Sequence, residues 1–411
     1  MTTELRPLRS EEWDEWYAKL DLAFGGVAEA PEEQALWRDL TGIERSLAAW
    51  DGEDIVGCAA AFGFRMTVPG GSLVPTAGVT MVGVQATHRR RGVLTAMMER
   101  QLADIRAAGE PVAALTASEP AIYGRFGYGI ATQTLSAEID TSRVVLRVPE
   151  GTDRVRLRMA APADARDACE SVYARRVAAR PAMLARAPGW ERLPLLDPPS
   201  NREGASPLLC VLAERDGEVT GYARYAVRPV WEPAGPEGVV QLRDLEALDP
   251  ASYAALWRFL FEIDLTSKLM VRSRPVDDPL LQLVSDVRRC RVGVRDSLHV
   301  RLVDLGAALS ARTYTAPVDV VLDVEDRFCP WNAGRWRLVG DPKGASCERA
   351  ADDEPADLRL DVQELGAVYL GGTRLSALAG AGRVAELRPG ALAEASTAFG
   401  SDVAPWLPHG F

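Results

Sequence analysis

Residues 82–95 have the sequence VGVQATHRRRGVLT, in which an apolar strand passes through a polar turn into three arginines, a glycine and the start of a helix. The apolar side chains after the turn recur with helical spacing and share one face: Leu94, Met97, Met98, Leu102 and Ile105. Gly109 follows this stretch and is expected to end the helix. The pattern therefore predicts a strand, a basic turn and an amphipathic helix.

The turn is a candidate anion-binding site. The first N–H groups of a helix have no partners within the helix, and Gly92 lets the main chain approach a bound pyrophosphate closely. Arg89, Arg90 and Arg91 carry guanidinium groups that can pair with phosphate oxygens. Such a motif also occurs as a solvated basic turn. The sequence around it must therefore show whether this turn binds an anion.

A second apolar strand is predicted at residues 112–115, and the sequence SEPAIYGRFGY follows at residues 118–128. This succession resembles the acetyl-CoA-binding half of the GCN5-related N-acetyltransferase (GNAT) superfamily. In that superfamily the turn binds the coenzyme A pyrophosphate, and a tyrosine after the next strand protonates the departing thiolate. The resemblance implies that Tyr123 is the proton donor. The alternative is a core tyrosine with a structural hydrogen bond, which is the role expected for Tyr128.

The chain length, the motifs THRRRG and SE-x-x-IYGRFGYG, and the terminal phenylalanine resemble the enhanced intracellular survival (Eis) family of multi-acetylating N-acetyltransferases. The likeness is sharpest over residues 40–135 and at the C-terminus. It implies acetyl-CoA as co-substrate, a homohexamer, and an acceptor such as a small polyamine or an aminoglycoside.

The resemblance also assigns coenzyme contacts by position. The backbone at residues 82–84 is expected to pair with the pantetheine amides as an added strand would. Residues 90–95 are expected to hold the pyrophosphate, although Leu94 stands where the superfamily more often has a small residue. The full set of expected coenzyme residues is Val82, Gly83, Val84, Arg90, Arg91, Gly92, Val93, Leu94, Thr95, Ser118 and Glu119. Phe24 and Trp37, on a predicted N-terminal helical pair, are the candidates for the acceptor pocket, and both also fit a plain core.

No histidine or glutamate stands in an obvious place near these motifs to act as the base. Eis proteins use the C-terminal carboxylate, which implies Phe411 here, provided that burial or nearby charge raises its low reference pKa. Trp406, Leu407 and Phe411 are apolar groups that can anchor the end of the chain. A frayed tail and His409 as the base are the alternatives.

Composition points to a cytoplasmic enzyme of two or three domains, because the chain has 411 residues, no apolar run long enough to span a bilayer, and no signal-peptide pattern. The net charge of −11 argues against nucleic acid as a partner. This charge serves either solubility alone or an acidic mouth that attracts a polycationic substrate. Six scattered cysteines and three histidines argue against a metal site and a disulfide framework, and the cysteines are expected to be buried.

An internal similarity suggests how the domains are arranged. Residues 46–61 and 210–226 share the plan of a strand, an Asp-Gly turn and a second strand, which predicts a hairpin in each. In the second region a strand at residues 239–248 leads into a helix at 252–263 without an arginine-glycine turn. We therefore expect a second GNAT-like lobe without a coenzyme site, the alternative being an unrelated α+β domain.

The predicted fold is α/β to α+β, with mixed sheets flanked by helices. It divides into a GNAT domain at residues 1–148, a second GNAT-like domain at 149–303 and a C-terminal domain at 304–411 that resembles a sterol-carrier-protein-2 (SCP2) domain. Strands are expected at residues 318–328, 334–339 and 356–360, and helices at 362–370, 373–379 and 389–399. The last domain is expected to be a scaffold rather than a lipid carrier.

The predicted function is an acetyl-CoA-dependent N-acetyltransferase that transfers acetyl directly to amines of a small polycation in a ternary complex. A protein-lysine N-acetyltransferase is the alternative within the same class of enzyme. A non-catalytic lipid-binding or scaffolding protein is the alternative from another class. The sequence does not separate them.

Overall fold

The structure is a computed structural model and describes residues 3–351 and 353–411. The α-helices of these residues are α1 (Trp13–Ala23), α2 (Pro31–Leu40), α3 (Val93–Ala107), α4 (Arg166–Val177), α5 (Pro250–Phe261), α6 (Leu280–Leu283), α7 (Leu305–Ser310), α8 (Val362–Val368), α9 (Leu375–Gly380) and α10 (Ala391–Ala398). The strands in the first half are β1 (Glu4–Pro7), β2 (Ser46–Asp51), β3 (Asp54–Thr67), β4 (Leu73–Val84), β5 (Val112–Thr116), β6 (Gly129–Ile130), β7 (Gln133–Asp140), β8 (Arg156–Ala160) and β9 (Leu184–Ala185). Those in the second half are β10 (Leu209–Arg215), β11 (Glu218–Arg228), β12 (Trp231–Glu232), β13 (Gly235–Pro236), β14 (Gly238–Ala247), β15 (Thr266–Arg274), β16 (Gly293–Asp296), β17 (Leu298–Leu302), β18 (Val318–Glu325), β19 (Gly334–Asp341), β20 (Gly344–Arg349), β21 (Leu358–Asp361) and β22 (Val384–Glu386).

The chain forms two compact units that are not consecutive segments of sequence. The first consists of the chain up to Thr132, Arg180–Ala185 and Ser297–Phe411, and the second of Gln133–Ala179 and Arg186–Asp296. Strand β7 pairs with β15 and β16 in the second unit, whereas β17 pairs with β5 and β6 in the first. Each strand belongs to the sheet with which it forms hydrogen bonds, so the order of β7 and β17 in the sequence does not decide which unit contains them. The boundaries at 148/149 and 303/304 stay predictions for the sequence domains.

The first unit contains an eight-stranded sheet in the order β1-β2-β3-β4-β5-β17-β6, with β9 added to β3. We call this sheet, together with α1–α3, the first lobe. The hairpin predicted at residues 46–61 is confirmed by antiparallel β2 and β3. Helix α3 buries Val93, Met97, Met98, Leu102 and Ile105, so the predicted apolar face is also confirmed.

The end of α3 follows the sequence prediction. Gly109 has a φ of 75° in the left-handed region, where only glycine is free of a Cβ clash. The Gly109 N–H donates to Arg106 O at 3.0 Å and the Glu110 N–H to Ile105 O at 3.2 Å. These are the two bonds of a Schellman motif, which ends the helix before β5.

The first unit also contains the five-stranded sheet β20-β19-β18-β21-β22 with α7–α10, in the region predicted to resemble SCP2. Helix α8 packs against β6 and β17 at two glycines. A Cβ at Gly129 would lie 2.1 Å from the backbone O of Gln363, and a Cβ at Gly366 would lie 2.2 Å from that of Val300. Only glycine permits backbone to approach backbone this closely, so the end of the IYGRFGYG motif is explained by packing.

The second unit, which we call the second lobe, contains the seven-stranded sheet β16-β7-β15-β14-β11-β10-β8. Its predicted hairpin is the antiparallel pair β10 and β11, and its predicted strand and helix are β14 and α5. Helix α5 buries Leu256, Trp257 and Leu260 in the core of this sheet. The succession β10-β11-β14-α5-β15 repeats the plan β2-β3-β4-α3-β5 of the first lobe.

All six cysteines are buried and carry free thiols, which confirms the prediction that they act as small apolar residues. Within residues 3–351 and 353–411, no helix has both the length and the apolar character that crossing a membrane requires.

Candidate active site

The site begins where strands β4 and β5 separate. Their parallel pairing joins residues 76–78 to residues 112–114. Further along, β4 contains a bulge, because Ala60 pairs with Thr80 whereas Cys58 pairs with Gly83, and Met81 takes a φ of 54°. A bulge bends a strand and increases its twist. In the described part of the chain, β4 after Gly78 still pairs with β3 on both sides of the bulge, at Val79, Thr80, Gly83 and Val84, but no longer pairs with β5.

A buried amide holds this bulge from beneath. Gln101 on α3 is only 4% exposed, and its Nε2 donates to the backbone O of Ala60 at 2.9 Å. The carbonyl is thus satisfied by a side chain at the place where the ladder of β3 and β4 is interrupted. Sequence reasoning missed Gln101, although a polar residue on the apolar face of a predicted helix is a signal that could have been followed.

The β4 strand leads into an uncapped helix N-terminus. Gly92 is the N-cap of α3, with a φ of 86° and no side chain that caps the helix. A Cβ built at Gly92 would meet nothing within 4 Å, so the backbone angle rather than crowding favours glycine here, and the space in front of the helix is open. Arg89, Arg90 and Arg91 are exposed beside it. The N–H groups of the first turn therefore point at a basic, open surface, which suits an anion.

Tyr123 follows β5 after the 3₁₀ turn Pro120–Ile122 and is half-buried. Burial raises the pKa of its phenol above the ordinary value, and the charge of Glu119 raises it further. A phenol is protonated at neutral pH even at its ordinary pKa of about 10, and this shift extends the protonated form, which a proton donor needs, further into the alkaline range. Tyr128 is buried, with its ring edge-on to that of Tyr123 at a centroid distance of 5.9 Å. Of the two rings, Tyr123 is the one that reaches the surface.

The ring of Phe411 packs on the sheet at the point where β4 and β5 begin to diverge. Its centroid lies 5.0 Å from that of Phe64 and 6.4 Å from that of Phe62, both on β3. A Cβ at Gly78, the last β4 residue that pairs with β5, would lie 3.0 Å from Cε2 of Phe411. The end of the chain is therefore packed in the first lobe rather than frayed. His409, the alternative base, is partly buried, and its Nδ1 lies 3.2 Å from Gly410 O.

Of the two predicted acceptor aromatics, Trp37 lies on α2 and Phe24 directly follows α1, and their surroundings differ. Trp37 stacks on Phe62 at 6.1 Å and so joins the aromatic cluster around Phe411. Phe24, at the end of α1, is 60% exposed, and its ring edge would lie 3.8 Å from a Cβ at Gly83 of β4. Phe62 and Phe64 were missed by sequence reasoning, although two aromatics two residues apart on a strand must share a face.

Acidic side chains surround the connection between α1 and α2. The Tyr17 hydroxyl donates to Oε2 of Glu29 at 2.5 Å. Burial raises the pKa of Glu29, and the negative charges of Glu33 and Asp21 raise it further. Asp21 and Glu33 precede Phe24 and Trp37 by one helical turn each, which puts acid and aromatic on one face of each helix. These acids show where part of the negative charge of the chain lies.

The remaining predicted coenzyme residues lie on β4, in the first turn of α3 and after β5. Val82–Val84 are half-buried in β4, Thr95 is exposed in the first turn of α3, and Ser118 and Glu119 are exposed after β5. Leu94 is packed against the core of the lobe, which accounts for a bulky residue at this position. Among the described residues, no group of three His, Cys, Asp or Glu side chains is arranged to hold a metal ion.

Three family models match the chain. Two describe acetyltransferase (GNAT) domains, at residues 4–131 and 182–302, and the third a sterol carrier protein domain at residues 305–408. An uncharacterized N-acetyltransferase of Streptomyces avermitilis is 67% identical over 100% of both chains. The N-acetyltransferase Eis of Mycobacterium bovis is 34% identical over 95% of this chain and 96% of its own. The chain belongs to the Eis family of N-acetyltransferases.

Solved structures agree with this family. The crystal structure of Eis1 from Mycobacterium abscessus matches with a TM-score of 0.83 and 34% identity, covering 100% of both chains. A GCN5-related N-acetyltransferase from Anabaena variabilis matches with a TM-score of 0.84 and 19% identity over 100% of both chains, a likeness that shows the fold alone. The predicted fold of two GNAT lobes and a C-terminal SCP2-like domain is confirmed, and the protein is an N-acetyltransferase.

Proposed function

We propose that this protein transfers the acetyl group of acetyl-CoA directly to amines of small polycationic substrates such as aminoglycosides, at one or more positions, in a ternary complex. The observation that carries the proposal is the unpaired edge of β4 that runs into the uncapped, glycine-started helix α3. One surface therefore offers strand-like backbone groups and, at its end, a basic anion site. A cytoplasmic location and a homohexamer remain predictions.

The residues around β4 fit coenzyme A by chemistry. The backbone of Val82–Val84 supplies the hydrogen-bonding groups that a pantetheine chain with two amides requires. The first turn of α3 supplies N–H groups, and Arg90 and Arg91 supply positive charge, for a pyrophosphate. The open space in front of Gly92 is what a phosphate at this position needs. Ser118 and Glu119 would flank the thioester end.

Acetyl-CoA supplies the acetyl group and a thiolate leaving group. Transfer forms a bond between the acceptor nitrogen and the acetyl carbon and breaks the bond between that carbon and sulfur. The Tyr123 hydroxyl, whose pKa burial raises above the ordinary value, gives its proton to the departing sulfur. The α-carboxylate of Phe411 takes the proton that the amine loses. Both groups lie on the first lobe, one after β5 and the other against β3.

The acidic side chains near α1 and α2 support a polycationic acceptor. Asp21, Glu29 and Glu33 all raise the pKa of the Tyr17 hydroxyl, so their charges lie together around α1 and the start of α2, the two helices that lead to Phe24 and Trp37. An aromatic ring next to carboxylates is a surface on which an ammonium group gains both charge pairing and cation–π contact. Trp37 on Phe62, with Phe411 beyond it, is the apolar part of this pocket.

The test is a coenzyme A release assay with acetyl-CoA and three sets of acceptors: aminoglycosides, linear diamines and lysine peptides. We expect release with the small polycations, and mass spectrometry of the product then counts the acetyl groups added. Release with lysine peptides alone would replace the proposal by protein-lysine acetylation. No release with any acceptor, by a protein that binds acetyl-CoA, would favour a non-catalytic role.

A further inference from the structure

A short segment from the middle of the chain, Arg180–Ala185, belongs to the first compact unit although the residues on both sides of it belong to the second. It continues the sheet at the far end of β3. Leu184 pairs with Met66, the Thr67 N–H donates to Met183 O at 2.9 Å, and the Ala182 N–H donates to Thr67 O at 2.9 Å. We call this segment the strap. It is fixed to the strand that carries Phe62 and Phe64.

The strap holds the C-terminal segment on its other side. The Trp406 N–H donates to Pro181 O at 3.0 Å, and Nη1 of Arg180 donates to Ala404 O at 2.5 Å. The Arg180 side chain is nearly buried, and so are Trp406 and Leu407. A buried guanidinium is costly unless its donors are used, so this contact fixes the position of the chain at Ala404 closely.

The backbone of the strap is shaped for these contacts. Ala182 is fully buried and has a φ of 74°, in the left-handed region that costs a residue with a Cβ about 1 kcal/mol or more. Such a conformation persists only where the surroundings determine it. At Ala182 the hydrogen bonds to Thr67 on one side and those to the C-terminal segment on the other supply that constraint.

A second arginine fixes the start of the same C-terminal segment. Arg312 is buried, and its guanidinium donates to the backbone O of Thr313 at 3.1 Å, of Phe399 at 2.9 Å and of Tyr369. Phe399 directly follows α10. The chain is thus tied at Phe399 and again at residues 404–406, so only the last few residues lie beyond the second tie and reach the ring of Phe64.

We infer that the strap, through Arg180, positions the Phe411 carboxylate for proton removal. Arg180 is then a positioning residue that acts through the main chain of Ala404, next to the hydrogen bond between Pro181 and Trp406. The inference rests on the proposed function, because it assigns the base role to Phe411. It predicts that removing the Arg180 contact with Ala404 displaces the end of the chain and slows turnover without weakening acetyl-CoA binding.

The test compares Arg180→Ala and Arg180→Lys with the wild-type protein and with Arg349→Ala. Arg349 also donates to a backbone oxygen, that of Ala333, but lies on β20 rather than at the C-terminal segment. Three quantities are measured on each protein: the rate at which a serine carboxypeptidase releases Phe411, kcat, and KM for acetyl-CoA. A variant with two residues appended after Phe411 serves as the reference for loss of the carboxylate. Melting temperatures show that each variant is folded.

We expect Arg180→Ala to release Phe411 faster and to lose up to about 10²-fold in kcat, the cost of a misplacement of about 1 Å, with KM for acetyl-CoA unchanged. Arg180→Lys keeps a donor and should lose less, and Arg349→Ala should behave as wild type. Unchanged release of Phe411 in a folded Arg180→Ala protein would overturn the inference. Should Arg180→Ala fail to fold, the same readouts on Arg180→Lys decide.

The base role of Phe411 fails in a distinguishable way. If Arg180→Ala releases Phe411 faster while kcat stays at the wild-type value, and the extended protein is also fully active, the strap anchors the C-terminal segment but Phe411 is not the base. If the extended protein is inactive and Arg180→Ala is fully active with faster release, the positioning role of Arg180 is wrong and the base assignment stands.

Discussion

The two lobes share one plan but differ at the helix that follows the central strand. In the first lobe, α3 begins at Gly92 without a capping side chain. In the second, Asp249 caps α5 by accepting from the N–H groups of Ala251 and Ser252, each at 3.0 Å, and Pro250 brings no N–H group to the first turn. The positive end of α5 is thus neutralised by the chain itself.

Strands β4 and β14, which precede these two helices, also differ in the backbone groups that they leave free. Strand β14 also has a bulge, between the pairs Leu242 with Tyr225 and Asp244 with Arg224, and its pairing with β15 ends at Leu242. Beyond that point Nη1 of Arg274 donates to Leu245 O at 2.6 Å, and its Nε donates to Oδ2 of Asp278 at 2.6 Å. A side chain of the second lobe takes the backbone acceptor that a ligand would use. The second lobe therefore lacks the free backbone groups that the first lobe offers at β4 and α3, and we expect coenzyme binding in the first lobe alone.

The largest effect is expected from removing the proposed proton donor of the first lobe, Tyr123. Tyr123→Phe should lower kcat by roughly 10²- to 10⁴-fold, because the departing thiolate loses its proton donor, while KM for acetyl-CoA stays unchanged. Steady-state kinetics with an active acceptor measures both quantities. Tyr128→Phe, the matched control in the same motif, should keep its turnover.

The pH dependence of the wild-type protein and of Tyr123→Phe tests the direction of the Tyr123 pKa shift. Burial raises this pKa above the ordinary value for tyrosine of about 10, so the acid form persists through the neutral and mildly alkaline range. From neutral pH up to about pH 10, wild-type kcat should therefore show no decrease caused by ionisation of Tyr123. Any alkaline decrease in this range should also be present in Tyr123→Phe. Near-normal turnover of Tyr123→Phe would show that the proton comes from another group.

A smaller effect is expected when the first lobe is given the carboxylate of the second. Gly92→Asp would place a negative charge at the start of α3, as Asp249 does in α5, and the left-handed backbone at Gly92 tolerates aspartate or asparagine better than other side chains. KM for acetyl-CoA should rise by about 10-fold, which corresponds to ~1.4 kcal/mol of lost binding. Gly92→Asn is the control for shape, and its KM should rise less. Equal effects in both variants would contradict an electrostatic cause.

The smallest effect is expected from the reverse change. Asp249→Ala removes the cap of α5 and should lower the free energy of unfolding by about 1 kcal/mol, measured by urea denaturation. Acetyl-CoA binding should not change, because Arg274 still occupies the neighbouring backbone oxygen. Asp249→Asn, which can still accept the two bonds, should retain most of the stability. A second binding event in Asp249→Ala would show that the cap alone closes the second lobe.

Local patterns were enough to predict much of this molecule. The two Asp-Gly hairpins, the apolar face of α3 and the stop at Gly109 depend on neighbours in sequence, and the structure confirms them. The resemblance of two short motifs predicted the family. The motifs also predicted that Tyr123 and the turn at Gly92 lie in one lobe, as they do, although the roles of these residues stay predictions.

The features that could not be predicted depend on partners distant in sequence. Gly129 is explained only by the backbone of Gln363, which packs onto it, and the exchange of β7 and β17 between sheets only by their hydrogen-bonded neighbours. Arg274 looks like any arginine at the end of a strand until Leu245 and Asp278 are placed beside it. The strap was missed for the same reason, since a six-residue segment carries no periodicity.

The most direct test of the difference between the lobes is the number of acetyl-CoA molecules bound per chain, measured by isothermal titration calorimetry on the wild-type protein and on Gly92→Asp. One site per chain is expected in the wild type, with its affinity weakened in Gly92→Asp, because, of the two helices that follow β4 and β14, α3 begins without a capping side chain whereas α5 is capped by Asp249. Two sites per chain, or a single site whose affinity Gly92→Asp leaves unchanged, would contradict the account.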